Sequence, residues 1–459
     1  MMEKLNFQDA SFLRLESSRH PFHVGGLMIL KPPPGAPKNY LRKLVAKSGQ
    51  LNEVWPIFNK KLNDPDDLSN GAWVPEDNYQ PERHVLHYRL PQPGRMDDLL
   101  NLVSRAHERQ LDRNRPLWEM HIIEGLPRGR FAVYSKVHHA LVDGAGAMKM
   151  VDALFTTSPK KGIELNDLEP LVAEHAERHS LLKDLGDMGR GMLQQYRALP
   201  QLSSLLAHMG MDALRGADDA MKLPFTAPRS LFNNEIDSAR RVILCDLPFA
   251  PVRTLAHNMG GTINDVLLSV CGGALRRYLL EQKSLPRRSL VAGLPVSIKS
   301  ADKEAGNQLS FILCPFFTTE RDDLKRLQRV IKTTTRAKSD LAGMSTTANQ
   351  DFTNLILMPT VLLTLSGNST SVPPALNAIF SNVPGSRKKL YMEGSELESL
   401  YPLSVVTDGM AINLTVISCG KKLCFAITSC PTEQPGIEQL GNYLKESFRD
   451  LQAAVKGQQ

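Results

Sequence analysis

Two adjacent histidines are the residues best suited to chemistry. In VHHALVDG, residues 137 to 144, His138 and His139 close an apolar stretch, and Asp143 and Gly144 follow. Imidazole titrates near neutrality, so a histidine at a strand end, reachable from a cleft, is a general base. Buried without a partner, it costs desolvation energy. The pair therefore points to a catalytic base or to a metal site. Metal fits less well, because one aspartate brings the ligand set only to three and no further His or Glu follows at helical spacing. A Ser-His-Asp hydrolase would need a nucleophile elbow, and no GxSxG occurs. The stretch from Gly144 to Lys149 mimics a dinucleotide fingerprint but lacks its third glycine.

These residues need a strand and a turn to hold them. RFAVYSKVHH, 130–139, alternates, with Phe131, Val133, Ser135, Val137 and His139 on one parity and Tyr134, Lys136 and His138 on the other. The apolar parity is that of His139, which predicts that His139 faces the core. LWEMHIIEGL, 117–126, precedes it, and Pro127 to Gly129 suit a hairpin turn. Strand patterns also occupy 23–30, 84–90 and 240–248, and helical patterns occupy 38–49 and 96–111. In the second half Thr262 caps a predicted helix to about 282, and two further helical patterns cover 320–344 and 350–366. A hairpin turning at Gly420 and a helix over 435–455 end the chain. Leu181, Leu185, Met188, Met192, Tyr196 and Leu199 share one helical face, which predicts a connecting helix or an amphipathic surface segment. The expected organisation is 1–160, a helical crossover over 161–235, and 236–459.

Length and composition agree with a two-domain globular protein: 459 residues, 42% hydrophobic and 22% charged. A net charge of +7 favours anionic partners. Nucleic acid is set aside, because no basic tract is interleaved with aromatics. All six cysteines lie in the second half without a CxxC, which predicts free, buried thiols in a reducing compartment. No leader or lipidation motif is read at the termini. The longest apolar run, FTNLILMPTVLLTLSG (352–367), is broken by polar residues and Pro359, so it reads as a buried helix or pocket wall.

HHALVDG resembles the HHxxxDG signature of the bacterial wax ester synthase/acyl-CoA:diacylglycerol acyltransferases, within the broader HxxxD acyltransferases. QDASFLRLE (8–16), RPLWE (115–119), TINDVLL (262–268) and FSNVPGS (380–386) resemble further motifs of that family, although Ser386 stands where a proline is usual. The resemblance implies an α/β fold of two chloramphenicol-acetyltransferase-like domains, a long crossover, and an active site in a channel at their interface. It implies that His139 is the general base, that Asp143 orients the loop, and that His138 supports it. Asn264 is the candidate polar contact across the channel, and Asp265 the candidate structural hydrogen bond. Pro116, Leu117, Trp118, Asn382 and Gly385 are expected to be structural. Leu355, Leu357 and Met358 offer an alkyl wall, a role that core packing explains equally well.

The implied partners are acyl-CoA, long-chain fatty alcohols and diacylglycerol, with no metal or other cofactor. The implied location is cytoplasmic, peripheral to the inner membrane or to lipid droplets. Two other readings stay open: an HxxxD or condensation enzyme with a non-lipid acceptor, and a non-catalytic lipid-surface protein. The basic stretches RRVIL, RRYLL and SRKKL are candidates for CoA phosphates or anionic lipid, or are ordinary surface charge.

Overall fold

The computed structural model describes residues 2–142, 144–160, 199–217, 219–299 and 307–457. Asp143 and the proposed amphipathic face at 181–198 lie outside them.

Two six-stranded sheets form the frame. The first runs Tyr391–Met392, Ser395–Leu403, His23–Lys31, Phe131–His138, Trp118–Glu124 and Val85–Arg89. The second runs Asn307–Pro315, Val291–Lys299, Ala378–Val383, Ile412–Cys419, Lys422–Ser429 and Arg241–Pro248. Most pairs are antiparallel; Ala378–Val383 pairs in parallel with both of its neighbours. The predicted hairpin is present: Trp118 stands opposite Val137, and Arg128 turns the chain at φ 63°. Residues 391–403 of the second half complete the edge of the first sheet, with Leu403 opposite Gly25 and Tyr401 opposite Leu27.

Period-2 alternation shows how the halves meet. On Arg241–Pro248, Ile243, Cys245 and Leu247 enter one core, while Val242 packs with the other. Lys422–Ser429 divides likewise: Leu423, Phe425 and Ile427 face one way, Cys424 and Ala426 the other. The second sheet is thus covered on both faces, by its own helices and by the first half. This is why its strands read as near-continuous apolar runs. Hydrogen bonds stitch the boundary, among them Val242 N–H to Ser104 Oγ (3.1 Å) and Tyr401 Oη to Asp246 Oδ1 (2.8 Å). All six cysteines are free and buried.

The helix Ile263–Glu281 opens with a capping box: Thr262 Oγ1 accepts from Asp265 N–H, and Asp265 Oδ2 accepts from Thr262 N–H at 2.7 Å. Pro359 lies inside the helix Thr346–Leu365 without ending it. No described helix is long and apolar enough to cross a membrane.

Candidate active site

The strand Phe131–His138 ends at the first histidine, and His139 begins the turn. Backbone bonds from two other segments hold this end. His138 N–H donates to Leu117 C=O at 3.0 Å, and His139 N–H donates to Phe22 C=O at 2.8 Å. Leu117 belongs to the PLW triplet, so that motif acts on the histidines through its backbone. Pro116 and Trp118 are buried beside it. Trp118 stacks between Phe58 (4.5 Å) and His84 (4.9 Å) and donates its Nε1–H to Phe58 C=O.

The two histidines are treated differently. His138 is wholly buried. Its Nδ1 accepts from Ala140 N–H at 3.1 Å, which places its proton on Nε2. Nε2 faces Glu16 Oε1 at 3.5 Å, longer than a good hydrogen bond. Glu16 also accepts from Arg113 Nε (3.0 Å) and Phe22 N–H (3.2 Å). Burial pushes its carboxyl up, but His138, Phe22 N–H and Arg113 outweigh burial and hold it below its ordinary range. His139 is half-buried, with its ring 4.6 Å from that of Phe12, centroid to centroid.

The parity expectation is therefore corrected. The polar-looking face is the sealed one: Tyr134, Lys136 and His138 are all fully buried, while Ser135, Val137 and His139 are partly open. Sealing is possible because Tyr134, Lys136 and the Nδ1 of His138 each find a hydrogen-bond partner. Lys136 Nζ donates to the carbonyls of Ala106 (3.0 Å) and Arg109 (2.8 Å), at the end of the helix Met96–Glu108. Tyr134 Oη meets His107 Nδ1 at 2.8 Å. The opened parity is the one that gives His139 access.

A second cluster joins two motifs far apart in sequence. Asn382 Nδ2 donates to Asn264 Oδ1 in a short hydrogen bond. Asp265 is buried; Oδ2 accepts from Thr262 Oγ1 (2.7 Å) and Oδ1 from Thr334 Oγ1 (2.6 Å). Asn264, Asp265, Thr334 and Asn382 line a small cavity walled by Leu268, Leu294 and Phe380. Val383, next to Asn382 on the strand, packs against the core of the first half, while Asn382 and every residue lining the cavity belong to the second half. Gly385 is required by close approach: a Cβ there would lie 2.1 Å from Ser418 C=O. Its N–H donates to Ser418 Oγ, and Ser386 C=O accepts from Gly420 N–H at 2.9 Å.

The alkyl-wall residues do not gather here. Leu355 is exposed, and Leu357 packs at the edge of the second core. The side chain of Met358 lies outside the description. The basic stretches are largely engaged by the fold: Arg240 donates to Arg19 C=O, Arg241 pairs with Glu438, and Arg277 pairs with Asp450. Arg387 stacks over Phe249, and Lys389 pairs with Glu396. Sequence reasoning assigned no role to Phe12, Glu16, Arg113, Thr334 or Lys136. Phe12 and Glu16 lie inside the quoted QDASFLRLE, so the signal was present, but nothing local says that the segment folds against the histidine turn.

The two-sheet scaffold is that of the two-domain acyltransferase and condensation-domain class. A condensation domain of the calcium-dependent antibiotic synthetase superposes with a TM-score of 0.60 at 14% identity, covering 98% of this chain and 96% of that one, a likeness of fold alone. The chain belongs to the wax ester synthase/diacylglycerol acyltransferase family: residues 5–267 match its catalytic domain and 305–452 its C-terminal domain. It is 36% identical to a putative diacylglycerol O-acyltransferase of Mycobacterium tuberculosis, over 97% of this chain and 99% of that protein. It is 32% identical to the O-acyltransferase WSD of Acinetobacter baylyi, covering 100% and 99%. The wax ester synthase/diacylglycerol acyltransferase of Marinobacter aquaeolei VT8 superposes with a TM-score of 0.77 at 30% identity, covering 99% and 100%. The protein is an acyltransferase.

Proposed function

We propose that the protein moves a fatty acyl group from acyl-CoA to the hydroxyl of a long-chain alcohol or of diacylglycerol, with His139 as general base and no acyl-enzyme. The observation that carries this reading is the contrast between the two histidines. His138 is sealed, with Nδ1 accepting from Ala140 N–H and Nε2 facing Glu16, whereas His139 is half-exposed on a turn whose backbone is pinned. In the reaction His139 takes the acceptor's O–H proton, and the oxygen attacks the thioester carbonyl. The C–O bond forms, the tetrahedral intermediate collapses with loss of the C–S bond, and protonated His139 returns its proton to the CoA thiolate. Asp143 is assigned to orienting the loop, and no metal or further cofactor is assigned. Asn264, held by Asn382, is the assigned polar contact to the reacting groups.

Peripheral attachment to a lipid surface belongs to the same reading. Eight large apolar side chains are exposed among the described residues, and four of them (Met211, Leu214, Leu355 and Leu362) lie on the helices Leu199–Leu214 and Thr346–Leu365. Those two helices pack together, which concentrates apolar surface in one region.

The test of the reaction is to incubate pure protein with palmitoyl-CoA and either hexadecanol or dipalmitoylglycerol, following free thiol and ester product together. Thiol release that requires an acceptor and matches ester formed is the expected result. Release indifferent to both acceptors, or none with either, would overturn the reading.

A further inference from the structure

We infer that Asp408 is a positioning residue for the transfer: from the second half of the chain it fixes the segment Glu16–Phe22, which in turn fixes the turn of His139. The inference rests on the reading of His139 as the base and adds to it a residue that the motifs do not contain.

The segment between the helix Phe7–Leu15 and the strand His23–Lys31 meets the histidine turn at both of its ends. Glu16 Oε1 lies 3.5 Å from His138 Nε2 and accepts from Phe22 N–H, and Phe22 C=O accepts from His139 N–H at 2.8 Å. Between those contacts Arg19 and His20 turn to the second half. Arg19 Nε donates to Ile236 C=O (3.0 Å), its Nη2 donates to both Asp408 oxygens (3.3 Å each), and its own C=O accepts from Arg240 Nη2 (2.6 Å). His20 Nε2 lies 3.0 Å from Asp408 Oδ1, and both of these side chains are buried. Asp408 Oδ1 also accepts from Ile236 N–H at 2.7 Å. Burial pushes the Asp408 carboxyl up, but His20, Ile236 N–H and Arg19 outweigh burial and hold it below its ordinary range, so it is a carboxylate at neutral pH.

A residue positions another only if its own loop is fixed. Gly409 takes φ 76°, its N–H donates to Asn234 C=O (3.1 Å), and its C=O accepts from the buried Asn233 Nδ2 (2.8 Å). Asn233 Oδ1 accepts in turn from Asn377 Nδ2 (2.6 Å), and Asn377 immediately precedes the strand Ala378–Val383, which carries Asn382. One loop is thus tied both to the histidine turn and to the strand of Asn382. A general base works only within hydrogen-bond reach of the proton it takes, and a displacement of about 1 Å costs about 10²-fold in rate. Asp408 therefore acts on the rate through the place of His139, without touching substrate.

The experiment measures kcat and KM with palmitoyl-CoA and whichever of the two acceptors the wild type uses, beside denaturant unfolding of the same samples. The proteins are wild type, Asp408→Asn, Asp408→Ala, His20→Leu, the double variant Asp408→Ala/His20→Leu, and Tyr401→Phe. Tyr401→Phe removes a different bond between the halves, Tyr401 Oη to Asp246, which does not touch the segment. Rates are taken where each protein is folded. Asp408→Ala should lower kcat about tenfold to a hundredfold, with both KM values within about twofold of wild type. Asp408→Asn, which keeps an acceptor for Ile236 N–H, should lower kcat less. The double variant should be no slower than the slower single one, because the two residues act in one chain of contacts. Tyr401→Phe should keep the wild-type kcat although its stability falls. An unchanged kcat in Asp408→Ala, a rise in KM at constant kcat, an equal loss in Tyr401→Phe, or full additivity of the two changes would overturn the assignment. Should Asp408→Ala fail to fold, Asp408→Asn and His20→Leu carry the same comparison with Tyr401→Phe. Full-rate transfer by His139→Ala would instead overturn the base reading, whatever the Asp408 variants do.

Discussion

At the scale of single residues, the site divides into His139, the proposed base, and the groups that hold its turn. A general base contributes about 10²–10⁴ in rate. His139→Ala is expected to lose that factor while its melting temperature stays close to wild type, because the side chain is only half-buried. Ester formation and a thermal melt on the same sample check this. Glu16 acts at one remove. Its carboxylate contacts His138, Arg113 and Phe22 N–H, and Phe22 C=O in turn holds His139 N–H. Glu16→Gln leaves Arg113 without its counter-charge and should lower stability by about 3 kcal/mol, with transfer falling in step. Denaturant unfolding beside initial rates tests it; a loss of rate with stability unchanged would give Glu16 a direct part in the chemistry.

At the scale of elements, the strand Trp118–Glu124 and the helix Met96–Glu108 are joined by a buried charge cluster. Glu119 lies 3.1 Å from His121, 3.2 Å from Arg109 and 3.4 Å from Lys136. Burial pushes its carboxyl up, but His121, Lys136 and Arg109 outweigh burial and bring it down from 4.5 to about 2. A carboxyl with a depressed folded pKa adds stability that is complete above its unfolded value and is lost as pH falls toward the folded one. The window is therefore pH 4.5 to about 2, and the shift corresponds to roughly 3 kcal/mol. Glu119→Gln should be less stable than wild type by up to this much at pH 7, and the gap should close as pH falls through that window. Lys136 does not blur the result: burial pushes its ammonium down from 10.5 to about 8, so it changes stability only between those values. Unfolding midpoints over a pH series read the effect directly.

At the scale of the whole molecule, the two halves share a wall and a strand exchange, and two packed helices carry four of the eight large apolar side chains exposed among the described residues. The prediction at this scale concerns attachment. The protein should co-sediment with anionic liposomes at low salt and partly release at high salt, because electrostatic attraction is screened while apolar insertion is not. Met211→Ser with Leu214→Ser should weaken co-sedimentation while leaving turnover of a short, water-soluble alcohol near wild type. Wild-type protein that stays in the supernatant at every salt concentration would end the surface-binding reading and leave the transferase reading standing.

The local grammar of this chain determined more than its shape. The period-2 and helical patterns, the turn at Pro127–Gly129, the Thr262 cap and the Gly420 turn are short-range signals, and each element they predict among the described residues is present. The motifs around His139 were legible because chemistry demands particular residue types at particular spacings. What the tertiary structure decided is which of two adjacent histidines is sealed. Parity alone favoured burying His139. The outcome depends on partners distant in sequence: Glu16, more than a hundred residues from His138, and, for Lys136, helix-end carbonyls 30 and 27 residues away. Pairing of residues 391–403 with the first sheet, and of Asn264 with Asn382, likewise spans separations over which no periodicity carries information. Burial of a polar group depends on the neighbours that satisfy it, and those neighbours exist only once the chain has closed on itself.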